Sequence, residues 1–105
     1  MTLSYGNGHA ERSAALFNNR HLVAVVGAIA QIRNNDEFTT RRIAVATSLP
    51  DSLVRPVIQR LFTAGILEEV HRSPGPRGAT YFRTAEKTGW AELKALCRTV
   101  SKGDV

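Results

Sequence analysis

The sequence predicts a mainly α fold that carries one small β-hairpin, in the order helix, helix, turn, helix, hairpin, helix. Three observations carry this. Apolar residues recur at three- and four-residue steps in separate stretches of the 105-residue chain, the spacing that places side chains on one helical face. The period changes directly after Gly65. The run Ser73-Pro74-Gly75-Pro76-Arg77-Gly78 concentrates turn residues between two segments of strand character. This length allows one domain, read as residues 13–100, with a flexible arm at 1–12 and a polar tail at 101–105.

The arm contains Gly6, Asn7 and Gly8 and shows no periodicity. Leu22, Val25, Val26, Ile29 and Ile32 then form the first apolar face. Asn18 or Asn19 can cap its start, and Arg33-Asn34-Asn35-Asp36 ends it. Ala14, Leu16 and Phe17 suit either an extension of this helix or a separate short one. A second helix covers Thr39 to Ala46, with Thr39 as the N-cap and Phe38 packing as a staple on the next turn. Leu49-Pro50 stops it. The third helix spans 51–64, with the stripe Leu53, Val54, Val57, Ile58, Leu61 and Phe62, and Gly65 ends it in a left-handed conformation. Residues 66–72 read as a strand with a break in strict alternation near Val70. Residues 79–84 have the β-branched and aromatic content of its partner. A last helix begins between Thr84 and Thr88 and runs to Val100, with Trp90, Leu93, Leu96, Cys97 and Val100 on its apolar face.

Hydrophobic residues make up 43% and charged residues 22% of the chain, the profile of a folded domain. No apolar run is long enough to span a membrane, and the polar N-terminus lacks the core of a secretory signal. One cysteine excludes an internal disulfide and suits the cytoplasm. The net charge is +5, and cations outnumber acids by 14 to 9. Arginine dominates the cations, which serves phosphate and guanine recognition and follows equally from a GC-rich genome. Placement is more telling than count. Residues 41–83 hold seven arginines and three acids, Asp51, Glu68 and Glu69, so most of the excess lies in the middle of the chain.

The element order is that of a winged helix-turn-helix. The stretch Phe38 to Leu67 also resembles bacterial winged-helix transcription regulators at residue level. Ala44 occupies the small position in the second helix, where two backbones approach. Ile43, Leu49, Val54 and Val57 take the packing positions, and Leu61-Phe62-Thr63-Ala64-Gly65-Ile66-Leu67 is the most specific segment. The resemblance covers residues 20–84 and is to multiple-antibiotic-resistance-type and related small repressors. It implies a cytoplasmic, homodimeric regulator that binds double-stranded DNA. Two departures stand out. The family often has Gly in the turn where Ser48 stands, and a left-handed Ser costs on the order of 1 kcal/mol. Pro56 lies beyond the first turn of the third helix. It removes a bond to the Ser52 carbonyl at about 3 kcal/mol if unrelieved, so an irregular first turn or a kink is expected.

In that fold the third helix lies in the major groove. Removing its apolar stripe leaves Asp51, Ser52, Arg55, Pro56, Gln59, Arg60 and Thr63 outward. Ser52, Arg55 and Gln59 share helical spacing and are the expected base readers, since Arg matches guanine and Gln matches adenine. Thr39, Thr40, Arg41 and Arg42 begin the helix that crosses the phosphate backbone. Cations there oppose the helix dipole by roughly 0.3–1 kcal/mol, a cost that a bound phosphate reverses. Arg60, Arg72, Arg77 and Arg83 complete the expected backbone and wing contacts, with the wing at 73–79 on the adjacent backbone or minor groove. Leu16, Phe17, Trp90, Leu93, Leu96 and Cys97 are the expected dimer surface. The same fold used as an adaptor or antitoxin-like protein-binding module is the alternative.

No enzyme is expected. His9, His21 and His71 match no zinc spacing, Gly-x-Ser-x-Gly is absent, and Gly75-Pro76-Arg77-Gly78 does not join a strand to a helix as a phosphate loop does. Cys97 reads as a small packing residue. No cofactor or metal is expected, and the sequence names no small-molecule effector.

Overall fold

A computed structural model describes residues 4–33, 36–76, 78–85 and 88–102. The order is α1 (Ser4–Phe17), α2 (Leu22–Ala30), α3 (Thr40–Thr47), α4 (Asp51–Thr63), β1 (Leu67–Arg72), β2 (Thr80–Thr84) and α5 (Trp90–Lys102). The strands form one antiparallel two-stranded sheet. The expectation of a mainly helical chain with a single hairpin is borne out.

Helix α2 is the centre of packing, in contact with α1, α3, α4 and α5. Its Leu22, Val23, Val25, Val26 and Ile29 are buried because nearly every position of this helix is apolar. They meet Ile43 and Ala44 of α3, and Val54, Val57, Ile58 and Leu61 of α4. Leu67, Phe82, Trp90, Cys97 and Val100 close the core. Each large apolar side chain so buried contributes roughly 1.5–3 kcal/mol. The α4 stripe is narrower than its sequence suggests, since Leu53 and Phe62 remain 41% and 38% exposed at its margins.

The reading of residues 1–12 as a flexible arm is corrected for residues 4–12, while residues 1–3 lie outside the described residues. Helix α1 begins at Ser4 and packs on α2 and α5. Phe17 packs against the core, and side-chain bonds to backbone add to this. The buried Ser13 hydroxyl donates to the Asn19 carbonyl (2.6 Å) and accepts from the Val23 N–H (3.1 Å). It thus caps the first turn of α2 from another helix, a role normally filled by the N-cap residue itself. Arg12 Nε donates to the Val100 carbonyl near the end of α5 (2.9 Å). The linker uses both asparagines. Asn18 ends α1 with φ 56°, and the Asn19 side chain accepts from the His21 N–H (2.8 Å). The tail is corrected likewise, because α5 continues to Lys102; residues 103–105 lie outside the described residues.

Helices α3 and α4 end alike. The Ser48 N–H bonds to the Val45 carbonyl (3.3 Å) and the Leu49 N–H to Ala44 (3.1 Å), while Gly65 bonds to Phe62 (3.0 Å) and Ile66 to Leu61 (2.9 Å). Both pairs form the Schellman arrangement, and both turning residues are left-handed, at φ 59° and 82°. Ser48 thus takes the left-handed conformation despite its Cβ, and the turn does not depart from the one a glycine would form. Thr39 caps α3 as expected, its side chain accepting from the Arg42 N–H (3.2 Å).

Helix α4 passes through Pro56 without interruption. In its first turn the Pro50 carbonyl accepts from both Leu53 (2.9 Å) and Val54 (3.2 Å), a sharing common at helix ends, so the irregular first turn expected from Pro56 is not seen. Ser52 and Pro56 are both exposed, so water can satisfy the carbonyl that Pro56 leaves without its helical partner.

Trp90 and Cys97, expected at a dimer surface, are core residues at 5% and 2% exposure. Burial pushes the Cys97 thiol up to about 11, so it stays protonated and unreactive near neutrality. Phe17 and Leu93 are partly buried against the core, and Leu16 and Leu96 are exposed.

Candidate nucleic-acid interface

Two backbone devices assemble the site. The first ties the start of α3 to the sheet. Phe38 and Phe82 exchange N–H···O bonds of 2.9 and 2.8 Å, a one-residue bridge beside β2. Their buried rings lie 6.4 Å apart, and Phe62 of α4 meets Phe82 edge-on at 6.0 Å. Thr39, Thr40 and Arg41 are thereby held beside β2 and α4.

The second device is a bulge in β1. Glu69 pairs with Phe82 and His71 with Tyr81, which leaves Val70 as an extra residue. The bulge reverses the alternation beyond it. Arg72 pairs with Thr80 and so joins Leu67 and Phe82 on the inner side of the hairpin, a face that His71 would otherwise have taken. The break in alternation near Val70 is this bulge. His71 instead stacks on Tyr81 (4.5 Å) and meets Glu37 (2.9 Å). The loop beyond is closed by Ser73 N–H to Ala79 (2.9 Å) and Gly78 N–H to Gly75 (3.0 Å). A Cβ on Gly78 would run into the Ser73 carbonyl, so this position requires glycine.

Between α3, α4 and the hairpin lies an open groove of about 470 Å³. Thr39, Thr40 and Arg41 line it from α3 and its cap, Asp51, Arg55 and Gln59 from α4, and Arg72, Gly78, Ala79, Thr80 and Phe82 from the hairpin. Six residues singled out in the sequence thus converge: Thr39, Thr40, Arg41, Arg55, Gln59 and Arg72. The cations Arg41, Arg55 and Arg72 are exposed. Arg41 also meets Asp51 (3.1 Å) and keeps 77% of its side chain accessible.

Other expected residues lie elsewhere. Ser52 and Arg42 are exposed but do not line the groove. Arg60 turns to α1, donating to the Phe17 (3.1 Å) and Asn18 (3.5 Å) carbonyls. It satisfies the open end of that helix. Arg83 pairs across the sheet with Glu68, whose carboxylate raises the guanidinium pKa further. Arg77 lies outside the described residues.

Asp51 and Thr80 belong to the groove without having been singled out as contacts. A signal for Asp51 was present: Asp51, Arg55 and Gln59 recur at four-residue steps, as consistently as the row through Ser52. A second hollow, of about 590 Å³, is lined largely by small side chains such as Ala24, Gly27 and Ala28, with Lys94 and Arg98 also lining it. Among the described residues no three His, Cys, Asp or Glu side chains gather as metal ligands, and no helix is long and apolar enough to cross a membrane. No protein-family model, no curated protein and no solved structure matches the chain.

Proposed function

We propose that this protein is a winged helix-turn-helix transcription regulator that binds double-stranded DNA sequence-specifically. In this reading α3 and α4 are the helix-turn-helix, α4 enters the major groove, and the loop at 73–79 rests on the adjacent backbone or minor groove. The observation that carries it is the convergence of Arg41, Arg55 and Arg72, from three elements, on one open groove with Gln59 and three threonines. Guanidinium groups on several walls of one groove suit a polyanion, which meets each wall with a phosphate or a base edge. Arg55 and Gln59 offer the fork geometries that match guanine and adenine. The Thr39 hydroxyl and the first N–H groups of α3 suit a phosphate beside Arg41.

The protein works as a cytoplasmic homodimer, a repressor in the simplest case, on half-sites about one helical turn apart. Of the residues expected at the dimer surface, Leu16 of α1 and Leu96 of α5 are exposed apolar side chains that suit the two-fold contact. Selection from random duplexes, followed by footprinting over a salt series, tests the proposal. Recovery of a palindromic motif is the expected result. Arg55→Ala is expected to weaken binding to that motif by about 1–3 kcal/mol and to relax preference at one position. Failure to retain any duplex at physiological salt would overturn it and hand the groove to an acidic protein partner.

A further inference from the structure

We infer that Asp51 is a base-reading residue, which accepts a hydrogen bond from cytosine, and that Arg41 is the residue that positions it. The inference rests on the DNA-binding reading above. Asp51, Arg55 and Gln59 stand at four-residue steps on α4 and all face the groove. Eight residues of helix rise about 12 Å, which matches three to four base-pair steps of about 3.4 Å. The row therefore presents an acceptor-only group, a donor-only fork and an amide that does both, in that order.

A carboxylate facing a polyanion needs compensation, and Asp51 has two sources. It is the first residue of α4, where the helix dipole favours negative charge. Arg41 from α3 also donates to its Oδ1 (3.1 Å). This contact fixes one edge of the carboxylate and leaves lone pairs on Oδ2. In the major groove the donors available to those lone pairs are the exocyclic amines of cytosine and adenine. Acidic side chains pair with the former. With Gln59 matched to adenine and Arg55 to guanine, the row specifies a half-site with cytosine, guanine and adenine edges in succession.

The test repeats the duplex selection with wild type, Asp51→Asn and Arg41→Ala, each first checked for native helicity by circular dichroism. Asparagine keeps the shape of Asp51 but pairs with adenine. Wild type is expected to recover a motif in which one position is cytosine. Asp51→Asn is expected to change that single position to adenine, with a preference of about 5- to 150-fold, the usual range for one base pair. Arg41→Ala is expected to keep the motif, blur its cytosine position and bind more weakly. Recovery of the unchanged wild-type motif by Asp51→Asn would overturn the inference while leaving the DNA reading intact. No motif from the wild type would remove both.

Discussion

Arg55 and Arg60 are five residues apart on α4 and meet different surroundings. Five residues turn a helix by about 500°, which places the two side chains some 140° apart. Arg55 faces the groove beside Gln59 and Asp51. Arg60 reaches over the end of α1 and occupies its carbonyls. The same division runs through the chain. Arg12 bonds to the end of α5 and Arg83 to Glu68, whereas Arg41, Arg55 and Arg72 converge on one groove. Arginine content alone therefore says little about function. What matters is whether a guanidinium lines the groove or is held by groups away from it.

Under the proposed function this division separates stability from binding, and substitutions on either side of it test it. The largest effect on folding is expected at the α1–α2 seam. Ser13→Ala leaves the buried Val23 N–H and the Asn19 carbonyl without their partner and should lower unfolding free energy by about 1–3 kcal/mol. Urea denaturation measures this, and duplex affinity at temperatures where the variant is folded should not change. Gly65→Ala comes next. Its backbone at φ 82° penalises a Cβ by about 1–2 kcal/mol, again without altering binding. Arg60→Ala should cost about 0.5–1 kcal/mol of stability, since its bonds to carbonyls are solvent-exposed. Loss of duplex affinity with unchanged stability would move Arg60 into the interface. The smallest effect belongs to Ser48→Gly. It relieves the left-handed backbone, and the entropy of the freer unfolded chain offsets much of the gain. A change of no more than about 1 kcal/mol in the stabilising direction is expected.

The parts of the fold governed by local chemistry were legible in the sequence. The stripes of α2 and α4, the Thr39 cap and the Gly65 terminus depend on residues a few positions apart. Helix α1 was not legible, because what holds it acts across elements. Ser13 serves a helix that begins nine residues later, and Arg12 reaches residue 100. The groove was legible in part. Helical spacing puts Arg55 and Gln59 on the outer face of α4, and the winged-helix resemblance singles that face out. Arg72 was expected among the contacts, but its orientation depends on the Val70 bulge, which two strands must pair to create. The partners of Arg60 and Arg83 likewise exist only once distant elements meet. Asp51 was counted on the outer face, and only the pairing with Arg41 and the position of the hairpin distinguish its row from that of Ser52.

In the proposed function the groove between α3, α4 and the hairpin carries the contacts to DNA. Salt dependence of duplex binding by Arg72→Ala and Arg60→Ala tests it most directly, because both variants remove one arginine and change net charge equally. Arg72→Ala is expected to reduce the slope of log affinity against log salt by about one, the loss of one phosphate contact, with stability unchanged. Arg60→Ala is expected to keep the wild-type slope and lose stability instead. Equal slopes for the two variants would contradict the account, since binding would then depend on net charge and not on the groove.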